Sequence, residues 1–281
     1  MPTFLSGCGV NQATQMAAPT PENPFMTWFG VDEATIARVM AELTANGADT
    51  ADLYFQHQRT NNLSMEDGIV SLANSSISQG VGLRVVIGEQ TGYAFTEDIT
   101  LSSMLAAART ASAIANGTAV VAPQAYNPKK TGDLYATELP WADVGIDKKL
   151  PILKHVNAQA RKGDPSVKKV SVSWADADDR VMIATLDGHL ITDHRPMTRL
   201  TAMVTATRDG ETQSGYSNIA ARQDFSWYTE ERLNKMVEEA VDRTLILFEA
   251  IRPSAGEMPV ILAAGASGIL LHEAIGHGME A

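Results

Sequence analysis

Apolar residues recur along this chain with two distinct periods, and the switch between them marks out the elements. Ile36, Val39, Met40 and Leu43 fall at i, i+3, i+4 and i+7, behind Asp32 as a cap and ahead of Asn46-Gly47 as a stop. That spacing predicts an amphipathic helix. A second helix is predicted from about Leu101 to Ala115, and a third opens on Asp147 and stops at Gly163. The clearest stripe is Leu233, Met236, Val237, Ala240, Val241, Leu245 and Phe248, which predicts a helix over Thr229 to Ala250 with Glu230 and Glu231 in its first turn. Between the helices the period drops to two. Strands are predicted over 52–58, 62–65, 69–72 and 81–87, then over 170–175, 181–186 and 189–207, with a short buried one over 259–263. Asp67-Gly68, Asp187-Gly188 and Asp209-Gly210 supply the hairpin turns. The predicted fold class is α+β: two mixed layers of antiparallel sheet with helices packed on one face.

The pattern also divides the chain. Residues 1–29 read as a disordered leader, with Ala, Gln, Thr, Asn and Pro dominating 9–25. Residues 30–117 form an N-terminal α/β domain. Residues 118–145, with Pro123, Pro128, Pro140 and little periodicity, read as a linker. Residues 146–281 form a central domain that ends in a helix carrying a metal motif.

Composition narrows the function. The 281 residues carry a formal net charge of −11, which argues against a nucleic-acid groove or an anionic membrane surface as partner. A single cysteine, Cys8, excludes a disulfide framework and fits a reducing compartment. No apolar run approaches the ~20 residues of a membrane helix. A cytoplasmic protein is expected. The alternative is export, should Leu5-Ser6-Gly7-Cys8 be the remnant of a signal, although no basic n-region precedes it.

The chemistry concentrates at His272-Glu273-Ala274-Ile275-Gly276-His277, an H-E-x-x-x-H arrangement. Imidazoles ligate zinc, and a carboxylate beside a ligand can take a proton from metal-bound water. The spacing has a structural consequence. Residues i and i+5 of a regular helix lie roughly 140° apart, too far round to share one ion. A wider π-type turn between the histidines would restore a common face, and Gly276 gives the backbone the freedom for it. Gly278 can then end the helix.

The run from His272 to Glu280 resembles the metal-binding signature of the TldD/PmbA (TldD/TldE) metallopeptidases, on the TldD side of that pair. A second run is similar to the same family's N-terminal domain: Glu66-Asp67-Gly68, then Gly80-Val81-Gly82-Leu83-Arg84-Val85, then Gly92-Tyr93-Ala94-Phe95-Thr96 and Asp98. The resemblance implies a zinc peptidase for unfolded or unstructured peptides, working with a related TldE/PmbA-like subunit. It makes His272 and His277 zinc ligands and Glu273 the general base. It also implies a further metal ligand, a cysteine from a β-rich domain beyond the motif. That domain is expected to be missing here, and Cys8 is not expected to replace its cysteine. The 281-residue chain is therefore expected to be a C-terminally truncated, inactive fragment that binds metal weakly. The alternative is a non-catalytic peptide-binding subunit of a heterodimer, with the motif helix only structural.

Rival sites do not hold. Asp176-Ala177-Asp178-Asp179 lacks the Gly and Glu of a calcium loop and reads as a polar turn. Gly80 and Gly82 lack the third glycine of a dinucleotide fingerprint, and Gly265-Ala266-Ser267-Gly268 is not a nucleophile elbow. His189 and His194, five apart on a strand, are expected on opposite faces at the surface. Arg84 is expected to pair with an acidic neighbour.

Overall fold

Seven strands form one sheet in the computed structural model, in the order β3-β2-β1-β5-β6-β4, with β7 also pairing β6. The structure describes residues 23–115, 122–129, 134–135, 137–265 and 267–280. It separates into two compact units, Met1–Phe248 and Glu249–Ala281. The strands are β1 Thr50–Glu66, β2 Ile69–Ile87, β3 Gln90–Thr96, β4 Asn127–Lys129, β5 Val167–Thr185, β6 His189–Arg208 and β7 Glu211–Ala221. All neighbours run antiparallel except β4 beside β6. The fold is α+β, as the alternating and helical periods predict.

The strands are longer than their apolar pattern, and the reason is chemical. One face of β1 presents Leu53 and Phe55, then His57, Arg59 and Asn61, then Leu63 and Met65. Their cross-strand partners on β5 are Ala184 and Met182, then Arg180, Asp178 and Asp176, then Trp174 and Val172. Apolar pairs thus occupy both ends of one face and polar pairs occupy its middle. Sequence periodicity splits such a strand in two, because the central residues look like a turn. The side chains satisfy one another across the strands instead, so the ladder continues. The segment 176–179, expected as a polar turn, is mid-strand in β5, and Asp176, Asp178 and Asp179 are buried.

Two cores follow from this banding. The first collects α1 (Pro24–Phe29), α2 (Glu33–Leu43) and α3 (Leu101–Ile114) over Leu53, Phe55, Val81, Leu83, Val85 and Met182. The second collects α4 (Ile146–Gly163) and α5 (Glu230–Leu245) over Met65, Val172, Trp174, Leu200, Ala202 and Val204. Burying a side chain of this size is worth about 1.5–3 kcal/mol relative to exposure. Two expectations hold in detail: Asp32 accepts from the Thr35 amide, and Gly163 is the last residue of α4; Thr229, expected inside its helix, instead caps α5 by accepting from the Arg232 amide. The cap of α4 itself is Gly145 rather than Asp147.

Two segments differ from the sequence reading. The stretch read as leader includes α1, whose Phe25 is fully buried in the first core under the Asn23 cap; residues 1–22 lie outside the described residues. The stretch read as linker supplies β4 and the fully buried Trp141, whose indole N–H donates to the Gln223 carbonyl. Pro-rich composition hid both contributions.

The hairpin turns form where expected. Asp67 and Gly68 both have positive φ (49° and 85°), as do Asp209 and Gly210 (50° and 87°), the geometry of a type I′ turn. The two glycines of the G-x-G run are set by close approach. A Cβ at Gly80 would lie 2.7 Å from the Thr96 carbonyl oxygen, and one at Gly82 would lie 3.0 Å from the Tyr93 hydroxyl. Arg84 pairs with Asp52 at 2.6 Å, as anticipated.

The second unit, 249–280, holds the motif helix. Residues 259–263, expected as a short buried strand, form no strand, and Val260, Ile261 and Leu262 are exposed. A strand needs a neighbour to take its backbone N–H and C=O groups, and among the described residues none pairs with this run.

Candidate metal centre

Ser267–Leu271 forms a short helix, α6, and the turn that follows it changes pitch. His272–Gly276 is π-helical, and His277–Met279 closes as a 3-10 turn. The wider turn is the distortion that the five-residue spacing requires. It brings the His272 and His277 rings to 4.5 Å between centroids, tilted by 59°. Gly276 contributes through its missing side chain: a Cβ there would sit 3.1 Å from His272 Nδ1.

Two carboxylates complete the cluster. Glu273 Oε2 lies 3.3 Å from His277 Nε2, and Glu280 Oε2 lies 2.9 Å from His277 Nδ1. One ligand atom from each of His272, His277 and Glu280 falls within a group no wider than 4.8 Å. Glu280 was not singled out from the sequence, although its position three residues after His277 places it on the same side of the last turn. The side chains are exposed, so small rotations can close them on an ion. Two imidazoles with flanking carboxylates are a donor set of the kind zinc prefers. The residues fit a divalent metal.

The other histidines play different parts. His189 is half-exposed, 3.2 Å from Asp187 and 2.9 Å from Lys129 Nζ. His194, expected at the surface, is largely buried and lies 3.3 Å from Asp178 Oδ1. The cause is the polar central band of the sheet, which draws His194 inward as the cross-strand partner of Arg180. Burial alone would raise the Asp178 carboxyl, but His194 and the Arg180 guanidinium outweigh it and hold it below the usual carboxylate range. Burial pushes the neighbouring Asp179 up, only partly offset by the Gln56 amide. Desolvation lowers His57, whose ring packs 4.8 Å from Trp28.

Comparison with known proteins places the chain in a family. Residues 51–115 match the family model for PmbA/TldA metallopeptidase domain 1, and residues 139–248 match that for the PmbA/TldA metallopeptidase central domain. The chain is 34% identical over 265 residues to the metalloprotease TldD homolog of Haemophilus influenzae, covering 92% of this chain and 55% of the relative. It is 25% identical over 245 residues to the zinc metalloprotease TldD homolog of Saccharolobus solfataricus, covering 84% of this chain and 51% of the relative. The chain thus spans about half the length of the curated relatives it matches. Among solved structures, a Thermotoga maritima protein described as a candidate modulator of a DNA gyrase superposes with a TM-score of 0.63 at 18% identity, over 80% of this chain and 50% of that one. TldE from Thermococcus kodakarensis superposes with a TM-score of 0.53 at 13% identity, over 75% and 47%. These two likenesses concern the fold. With two family domains matched in order and a 34% identical relative over most of its length, the chain belongs to the PmbA/TldD family of metallopeptidases.

Proposed function

We propose that this chain carries the metal-holding motif of a zinc-dependent peptidase that cleaves unfolded or unstructured peptides. The observation that carries the reading is the π-turn, which sets the His272 and His277 rings 4.5 Å apart. A straight helix would leave those rings on different faces. His272 and His277 would hold the ion. Glu280, bonded to one nitrogen of His277, would fix that ring's tautomer and orientation and leave the other nitrogen for the metal. When bound, zinc polarises a carbonyl and makes water easier to deprotonate.

The remaining work falls to the chain's own groups. Glu273, beside His277, would accept a proton from the attacking water and return it to the departing amine. An extended peptide could be held by main-chain hydrogen bonds along β2, whose outer edge pairs with β3 only over 81–87. A TldE-like subunit is the proposed partner, supported by the fold shared with TldE. A cytoplasmic location is proposed from the charge and the single cysteine; among the described residues no helix is long and apolar enough to cross a membrane.

The activity is proposed for a protein of the relatives' full length. For the 281 residues alone we expect weak metal binding and no turnover. In the full-length protein, Glu273→Gln should retain zinc and lower peptide turnover by about 10²-fold or more. Unchanged turnover would remove Glu273 from its role. A full-length protein that binds peptide but neither zinc nor cleaves would favour the non-catalytic subunit.

A further inference from the structure

A cavity of about 330 Å³ opens at the polar band of the sheet, between β1, the outer half of β2 and the start of α4. Its size is at the low end of the ~300–1,000 Å³ of small-ligand sites. Leu63, Val144 and Trp174 give it apolar walls, and among the described residues Arg59 and Lys149 are the charged ones that line it. That sign runs against the whole molecule, in which 33 acidic residues outnumber 22 basic ones.

The two cations differ in their commitments. Lys149 Nζ sits 2.5 Å from Asp176 Oδ2, so one of its three donors is used. Arg59 is the cross-strand partner of Asp178, yet Asp178 bonds Arg180 and faces His194 instead. The Arg59 guanidinium therefore makes no ion pair among the described residues, although it is partly withdrawn from solvent. A partly buried guanidinium with no ion pair among the described residues, lining a cavity with some apolar walls, is suited to a planar anion that can take two parallel N–H bonds. The first turn of α4, which has no side-chain cap at Gly145, adds backbone donors beside the cavity.

We propose that this cavity binds a carboxylate attached to a compact apolar body, in the form presented by the last residue of a peptide. The carboxylate meets Arg59 and Lys149, and the apolar side chain packs on Trp174, Leu63 and Val144. The site lies wholly within the first unit and uses no atom of the metal motif, so it stands or falls independently of the peptidase reading.

The test follows the indole N–H resonances of the four tryptophans by NMR during titration with N-acetyl-leucine. The Trp174 N–H, which donates to Asp176 at 2.8 Å, is the reporter. We expect saturable shifts at Trp174 with N-acetyl-leucine, none with N-acetyl-leucinamide, and at least about tenfold weaker binding in Arg59→Gln, with Arg59→Lys in between. Ala73→Phe, at an exposed strand position that lines the cavity, should block binding without touching a charge. N-acetyl-aspartate amide separates a side-chain carboxylate from a terminal one; tighter binding of that probe would overturn the assignment to a peptide end. Inorganic phosphate binding as well as N-acetyl-leucine would contradict the apolar contribution. Equal shifts with the amide, or no shift at Trp174, would overturn the site.

Discussion

The Lys149 ammonium lies 2.5 Å from the Asp176 carboxylate, with the two side chains 5% and 0% exposed. Trp174 and Asn61 also donate to Asp176, so the carboxylate is fully engaged at the junction of α4, β1 and β5. Removing one partner leaves an uncompensated buried charge, which typically costs about 3–5 kcal/mol. Lys149→Met should lower the unfolding free energy by that order in urea titration. A loss below about 1 kcal/mol would show that the pair is solvated in solution.

Glu280 bonds His277 Nδ1, and nothing else described holds that ring from the same side. Carboxylates placed in this way typically alter metal affinity by 10–100-fold. Glu280→Ala should weaken zinc binding by about that factor in competition with a chelator, and Glu280→Gln by less. Unchanged affinity in both variants would remove Glu280 from the site.

The space at Gly276 gives a second handle on the same geometry. A Cβ placed 3.1 Å from His272 Nδ1 is tight enough to turn the ring. Gly276→Ala should therefore weaken metal binding by about tenfold while leaving the thermal midpoint of the first unit unchanged. A drop in that midpoint would point instead to a folding defect.

The pH response should come partly from His57. Desolvation lowers its pKa, more than Asp178 and Asp179 raise it, and Arg59 pushes the same way as desolvation. A folded value below the unfolded one means that the contribution is complete above about pH 6.5 and is lost as pH falls through the lowered folded value. Thermal midpoints measured from pH 7.5 to pH 5 should fall, and His57→Gln should flatten the slope. A steeper slope in that variant would reverse the sign assigned here.

How much of this was legible in the sequence depends on whether the signal was local. The apolar stripe from Leu233 and the cap at Asp32 are local signals and predicted their helices closely, although α5 ends at Leu245 and Phe248 falls in the 3-10 turn after it. The need for a π-turn also followed from spacing alone, because five residues cannot share a face on a regular helix. The long strands were not legible. Arg59, Asn61, Asp176 and Asp178 interrupt the apolar alternation, and only cross-strand pairing shows that they belong inside the sheet. Trp141 and Phe25 were hidden for a related reason, since each is a single anchor in a stretch with no period. Glu280 stood within the recognised motif, but its role depends on how the final turn closes.

Zinc K-edge X-ray absorption on the full-length protein tests the central claim most directly, because imidazole ligands leave a characteristic outer-shell scattering. Two imidazoles per zinc at about 2.0–2.1 Å, falling to one in either His272→Ala or His277→Ala, is the predicted result. A spectrum with one imidazole or none in the unmodified protein, or one unchanged by both substitutions, would contradict the shared ion that the π-turn is proposed to make possible.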